Sequence, residues 1–136
     1  MVFVLDSSVT LAWLLPDEES QTTDALADRL TQESALAPAI WLLEVGNALL
    51  MAQRRSRIKD DDLFRLAAAV LALPIEIDQD AGKQGLTGVL KLASELRLTT
   101  YDAAYIELAK RRALPLATLD ARLRQACVAV QIPVLP

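Results

Sequence analysis

Short apolar runs alternate with longer amphipathic segments along this chain. Val2-Phe3-Val4-Leu5 is unbroken apolar sequence that stops at Asp6. Runs of this length read as strands buried on both faces. Shorter runs of the same kind are Leu36-Ala37 before Pro38, Ile75-Glu76-Ile77, Pro115 to Thr118, and Ile132 to Leu135. Between them lie helical patterns. Ser7 or Ser8 is placed to cap a helix through Val9, Leu11, Ala12, Trp13 and Leu14, stopped by Pro16. Ser20 to Gln32 carries Ala25, Leu26, Ala27 and Leu30 among polar residues. Ala39 to Arg55 is the strongest helix, with Leu42, Val45, Leu49 and Ala52 at spacings of three and four. Asp60, Asp61 and Asp62 open the next, which runs to Leu73. Gly82, Gly85 and Gly88 weaken the start of a helix that firms up from Val89 to Arg97. Tyr101 to Arg112 and Asp120 to Cys127 complete the set.

Strands alternating with helices predict an α/β fold with a parallel sheet. Ligands in such folds bind beyond the carboxyl ends of the strands. The 136 residues suit one domain spanning 1–136. A chain of about this size buries roughly 68–70% of its unfolded surface, enough for a core without staples.

Composition removes several chemistries. The chain has no histidine, so it holds no Ser-His-Asp triad, no Cys-His pair and no His-ligated zinc. The single Cys127 lies in Ala126-Cys127-Val128-Ala129-Val130, lacks a base, and reads as a buried structural thiol. One cysteine forms no internal disulfide, which suits a reducing cytoplasm. The amino terminus has no basic n-region. Charge or proline breaks every apolar run short of the roughly 18 residues a membrane span needs. A soluble cytoplasmic protein is expected.

A net charge of −4 opposes binding to nucleic acid. Local cations offset it at Arg54-Arg55-Ser56-Arg57-Ile58-Lys59, at Lys110-Arg111-Arg112, and at Arg122 and Arg124. The first two clusters are more simply read as helix C-termini, where cations favour the dipole.

Four acidic residues carry the chemistry. Asp6 and Asp120 follow apolar strands, Asp102 opens a helix, and Glu44 interrupts the apolar run Ile40 to Val45. Each has a bland reading as a cap, a first-turn acid or an ion-paired helix residue. Together they suggest carboxylates converging on one crevice. Such groups repel unless a cation neutralises them. Without histidine the natural partner is a hard divalent ion, Mg²⁺ or Mn²⁺, one or two in number. Bound there, it would activate water against a phosphate ester. Thr118 and Ser7 stand beside two of the acids. Asn47 lies one turn from Glu44 and can share its face.

These motifs, taken in order, resemble the PIN domain. They are hydrophobic-Asp6-Ser7-Ser8, Glu44-Val45-Gly46-Asn47-Ala48-Leu49, Tyr101-Asp102-Ala103-Ala104-Tyr105 and Ala117-Thr118-Leu119-Asp120. The likeness covers essentially the whole chain and is narrowest to VapC-type toxins of toxin–antitoxin pairs. It implies a PIN-like three-layer fold, a short parallel sheet flanked by helices. It implies a Mg²⁺- or Mn²⁺-dependent endoribonuclease with Asp6, Glu44, Asp102 and Asp120 as the acidic quartet. All four would serve the metal, Asp6 and Asp102 first as ligands, Glu44 binding directly or positioning an ion and Asp120 acting through water, with Thr118 the hydroxyl beside the last acid. It also implies a homodimer held inactive by a VapB-type antitoxin, with operator DNA bound only through that antitoxin. Exposed apolar positions of the first two helices are candidates for the dimer surface, and core packing explains them equally well.

Rival readings are weaker. A haloacid-dehalogenase-like phosphatase wants an Asp two residues after Asp6, where Ser8 stands. A receiver domain wants an acidic pair before its phosphoacceptor strand, and none is present. Gly82-Lys83-Gln84 lacks the Ser/Thr and upstream Gly of a P-loop. An RNA-processing PIN ribonuclease without an antitoxin, or a non-catalytic PIN-like binding module, are the alternatives.

Overall fold

The structure is a computed structural model that describes residues 1–83 and 85–136. Gln84, in the Gly82-Lys83-Gln84 stretch read above, lies outside the described residues. Five strands are present among the described residues: β1 (Val4–Leu5), β2 (Ala35–Ala37), β3 (Ile75–Ile77), β4 (Leu116–Ala117) and β5 (Val134–Leu135). They form one parallel sheet in the order β3-β2-β1-β4-β5. Every residue of β1, β2 and β4 is buried. Helices covering both faces of a parallel sheet produce such continuous apolar strands.

The helices are α1 (Ser7–Leu14), α2 (Gln21–Arg29), α3 (Ile40–Arg54), α4 (Asp62–Ala72), α5 (Gly85–Leu96), α6 (Thr100–Arg112) and α7 (Ala121–Ala129). A 3₁₀ turn, Pro16–Glu18, follows α1. The expected elements are all present, with most ends shifted by one to a few residues. Ser20 caps α2 by accepting from Thr23 N. Neither Ser7 nor Ser8 caps α1, contrary to expectation. Asp6 holds the cap position, without a side-chain cap bond, and both serines lie inside the helix.

The trailing ends of four helices share one device. Ser56, Arg97, Ala113 and Gln131 take positive φ one or two residues past α3, α5, α6 and α7. Each next residue then donates to a carbonyl five positions back: Arg57 to Ala52, Leu98 to Ala93, Leu114 to Ala109 and Ile132 to Cys127. This is the Schellman closure, which usually employs glycine.

Two tryptophans lock helices to one another. Trp41, 2% exposed, donates from Nε1 to Thr10 Oγ1 at 3.0 Å, fastening α3 onto α1. The Thr10 hydroxyl in turn donates to the Asp6 carbonyl at 3.3 Å. Trp13 donates to the Thr23 carbonyl at 2.7 Å and fastens α1 to α2. Trp41 stands one turn before Glu44, so this bond also sets where Glu44 sits.

Cys127 is fully buried, and burial pushes its thiol up to about 11. Among the described residues no helix is long and apolar enough to cross a membrane. On the first two helices core packing accounts for the apolar positions. Val9, Ala12 and Leu26 are buried, while Leu11, Trp13 and Leu14 pack partly against the core. The large apolar side chains left exposed are instead on α3 (Leu42, Leu43), α4 (Phe64, Leu71), α5 (Leu86, Leu90), α6 (Tyr101) and α7 (Val128), with Leu119 in a loop and Met1 at the amino terminus.

Candidate active site

Strand order reverses between β1 and β4, both of which pair in the centre of the sheet. The crevice beyond the carboxyl ends of two such strands is where open α/β sheets bind ligands. Asp6 leaves β1 there and Thr118 leaves β4. Asp6 N donates to the Ala117 carbonyl at 3.0 Å, so the ladder continues up to the acid itself.

Asp6 is 4% exposed and is held by hydroxyls. Ser8 Oγ donates to its Oδ2 at 2.6 Å, and Thr118 Oγ1 donates to the same oxygen at 2.8 Å. Each hydroxyl also accepts a backbone N–H from the loop after β4. Leu119 N donates to Ser8 Oγ at 2.9 Å and Asp120 N to Thr118 Oγ1 at 3.1 Å. A hydroxyl that accepts an amide proton aims its own proton elsewhere. Both protons here go to Asp6 Oδ2, which fixes the direction of the carboxylate. Ser7, named from sequence, makes a longer contact, 3.5 Å to Oδ1, so Ser8 forms the shorter of the two serine bonds to Asp6.

Asp120 caps α7, with Oδ1 accepting from Arg122 N at 2.8 Å and Leu123 N at 3.2 Å. Oδ2 takes no part in the cap. Asp102 lies in the first turn of α6, which Thr99 caps by accepting from Asp102 N at 3.1 Å. Glu44, half-buried on α3, accepts a hydrogen bond from the phenol of Tyr105 on α6.

The four acids sense one another. Burial raises the Asp102 carboxyl above its ordinary range, and the charges of Asp120 and Asp6 raise it further, against a small opposing effect of Arg122. Burial likewise raises Glu44, opposed by the Tyr105 hydrogen bond and assisted by Asp6 and Asp102. Tyr105 is fully buried. Its phenol is held far above its ordinary range by burial, then by Glu44 and Asp6, with Ser7 opposing. It therefore remains a donor at any ordinary pH.

The structure thus brings Asp6, Glu44, Asp102, Asp120 and Thr118 to one edge of the sheet. It does not bring Asn47 to them. Asn47 is exposed and makes no side-chain hydrogen bond among the described residues. Sequence reasoning passed over Tyr105, although it stands one turn beyond Asp102 in the same motif. It also missed that Arg124 is structural, donating to the Thr118 carbonyl at 2.8 Å and to the Pro136 carbonyl at 3.1 Å. Arg54, Lys110, Arg111 and Arg112 occupy the last turns of α3 and α6, as the simpler reading of the basic clusters expects.

Among the described residues no group of three or more acidic or thiol side chains stands ready to hold a metal ion. The donor chemistry nevertheless fits a hard cation, being carboxylate and hydroxyl oxygen only. Carboxyls raised by burial and by one another's charge are also those a cation would stabilise in ionised form.

The PIN domain profile matches residues 3–129. Ribonuclease VapC3 of Pyrobaculum aerophilum is 26% identical over 133 residues, which cover 98% of this chain and all of that one. Ribonuclease VapC12 of Mycobacterium tuberculosis is 32% identical over 127 residues, 92% of each chain. The crystal structure of VapBC2 from Rickettsia felis, bound to a DNA fragment from their promoter, has a chain of the same fold. The TM-score is 0.70 at 13% identity, over 98% of this chain and 97% of that one.

Proposed function

The chain belongs to the PIN domain family, and from that premise we propose that it is a single-domain endoribonuclease toxin of the VapC kind. The reading is Mg²⁺- or Mn²⁺-dependent hydrolysis of RNA phosphodiesters. The observation that carries it is the convergence of Asp6, Glu44, Asp102 and Asp120 at the point where strand order reverses. Burial first, and then one another's charges, raise the carboxyls of Glu44 and Asp102.

Asp6 and Asp102 are the first choice of ligands for the ion, with Glu44 and Asp120 Oδ2 completing its surroundings. Bound there, a divalent cation supplies Lewis acidity and a water acidic enough to attack phosphorus near neutral pH. The chain's own residues do the rest. Ser8 and Thr118 fix Asp6 in direction. Tyr105 holds Glu44. The Asp120 cap ties the β4–α7 loop to the same network, so the acids keep their places as substrate arrives.

The partners follow from the same reading. A homodimer is proposed, with the exposed leucines of α3 and α5 as the available apolar surface in place of the first two helices. A VapB-type antitoxin is proposed as the inhibitor, and operator DNA is contacted through that antitoxin. A basic peptide segment entering the crevice would meet paired carboxylates suited to a guanidinium. The cytoplasm is the compartment this reading requires.

The deciding experiment incubates antitoxin-free protein with total cellular RNA and Mn²⁺ or Mg²⁺, beside Asp102→Asn prepared identically. Discrete cuts, abolished by EDTA and by the substitution, are expected. Equal cutting by both proteins would assign the activity to a contaminant and leave the quartet without support.

A further inference from the structure

A cleft of about 390 Å³ opens along the same edge of the sheet, beyond β2 and β3. Its walls include Pro38, Ile40, Val89 and Ala104, and its polar rim includes Asp78, Gln79 and Glu107. Ile40 is one turn before Glu44 on α3. Ala104 and Glu107 lie on α6, which carries Asp102. Asp102 and Ala104 face different sides of α6, so the cleft is a neighbour of the acidic crevice and not part of it. Asp78 follows β3, two strands from β1, a displacement of about 10 Å at the usual strand spacing. That is within reach of a residue next to the scissile phosphate.

The polar side of the cleft is fixed in place. The Asp78 side chain is 4% exposed and takes two bonds from Arg111, from Nη1 at 3.3 Å and Nη2 at 2.6 Å. Arg111 also donates to Glu107, from Nε at 2.9 Å and Nη2 at 3.2 Å. Two carboxylates thus share one guanidinium, and the trio keeps one net negative charge. Such a rim rejects a phosphate and accepts hydrogen bonds from neutral donors. Pockets for small organic groups span roughly 300–1,000 Å³, and this one lies at the small end. Single-stranded RNA is read by splaying out one base and bonding its edge.

We propose that this cleft receives one unstacked base of the RNA, adjacent to the cut, and favours bases with an exocyclic amino group over uracil. The proposal rests on the ribonuclease reading and adds its specificity pocket. The apolar walls would stack on the base. The Glu107 carboxylate, the more exposed of the two, would accept from its amino group, whereas the uracil O4 would face it as a second acceptor.

The test pairs two pentanucleotides that differ only in that group, pentacytidylate and pentauridylate. Each is titrated in Mg²⁺ against Asp102→Asn protein, so that nothing is cut. Cytidylate is expected to bind about tenfold tighter, the effect of one hydrogen bond to a charged group. Val89→Phe, which fills the cleft, should abolish the preference and leave uridylate binding in place. Glu107→Gln, which keeps the shape and removes a charge, should narrow it, and serves if the larger side chain disturbs the fold. Equal affinities in the starting protein would overturn the proposal. So would a preference that survives both substitutions, or a lack of binding to either RNA. Selective binding lost in the variants, with no cleavage by the unsubstituted protein, would keep the cleft and remove the nuclease.

Discussion

Tyr105 on α6 donates its phenolic proton to Glu44 on α3, and this bond joins two helices across 61 positions of sequence. The ring is fully buried, whereas the carboxylate is half-open to the crevice. The phenol therefore fixes an acid that would otherwise be free to rotate toward water. Tyr105→Phe keeps the packing and removes the bond. A loss of about 1 kcal/mol in stability is expected, since Glu44 can turn to solvent for a partner. Cleavage should fall by roughly tenfold or more, the usual cost of a loosened site. Because the bond opposes the rise of the Glu44 carboxyl, the variant should also need a higher pH for half-maximal activity. Unaltered rate and pH profile would remove Tyr105 from the site.

The shared hydroxyl predicts a sharp difference between two small substitutions. Thr118 is fully buried, donates to Asp6 and accepts from Asp120 N. Thr118→Val has nearly the same volume but leaves both groups without that partner, at a cost of about 1–3 kcal/mol. Thr118→Ser keeps both bonds. Chemical denaturation of the two variants should place serine close to the parent and valine well below it. Similar values for both would mean that the methyl, not the hydroxyl, matters.

The raised carboxyls make a signed prediction about pH. In Glu44 and Asp102 the folded form holds its proton above the ordinary values of 4.5 and 3.8. As pH rises past those values the unfolded chain loses its protons first. The native state then binds more protons, so stability falls with rising pH through this window and levels off above it. Asp78 works in the opposite direction, because Arg111 lowers its carboxyl. The comparison therefore uses Glu44→Gln/Asp102→Asn, which leaves Asp78 alone. In EDTA, the advantage of the double variant in melting temperature should grow from about pH 4 toward neutrality. Mg²⁺ should erase it by stabilising only the parent. An advantage that is constant with pH would contradict the raised values.

Ala113 closes α6 at φ 52°, a conformation that costs a residue with a Cβ about 1 kcal/mol. Ala113→Gly should recover about that much, less the entropy glycine adds to the unfolded chain. The position is exposed and outside the crevice, so cleavage should not change. Lower stability in the glycine variant would show that the alanine methyl packs in some way that offsets the strain.

Much of this was legible in the chain. Apolar runs ending in Asp6 and Thr118 fixed where strands stop, and alternation with helices fixed the sheet as parallel. The four acids could be named because each punctuates an apolar segment. What resisted reading was direction. Ser7 and Ser8 are equivalent in sequence, and only the start of α1 at Ser7 turns the Ser8 hydroxyl onto Asp6. Tyr105 stands within a motif that gives it no role of its own, and it is core. Its role comes from the tip of a side chain whose ring is buried for ordinary reasons. The apolar residues of α1 suggested a free surface because nothing in their spacing shows that α2 and α3 cover them, the latter through Trp41 and Thr10.

The pairing of β1 with β4 has a consequence for how the chain is made. Val4 waits for Leu116, and Asp6 for Thr118, while most of the sequence is synthesised. A nascent chain that has emerged only as far as α6 holds three of the acids but lacks the strand that completes the crevice. It has neither the Thr118 hydroxyl nor the loop amides that fix Ser8. On the proposed reading, an enzyme that cuts RNA is thereby kept from assembling its site beside the messenger and ribosome that are producing it.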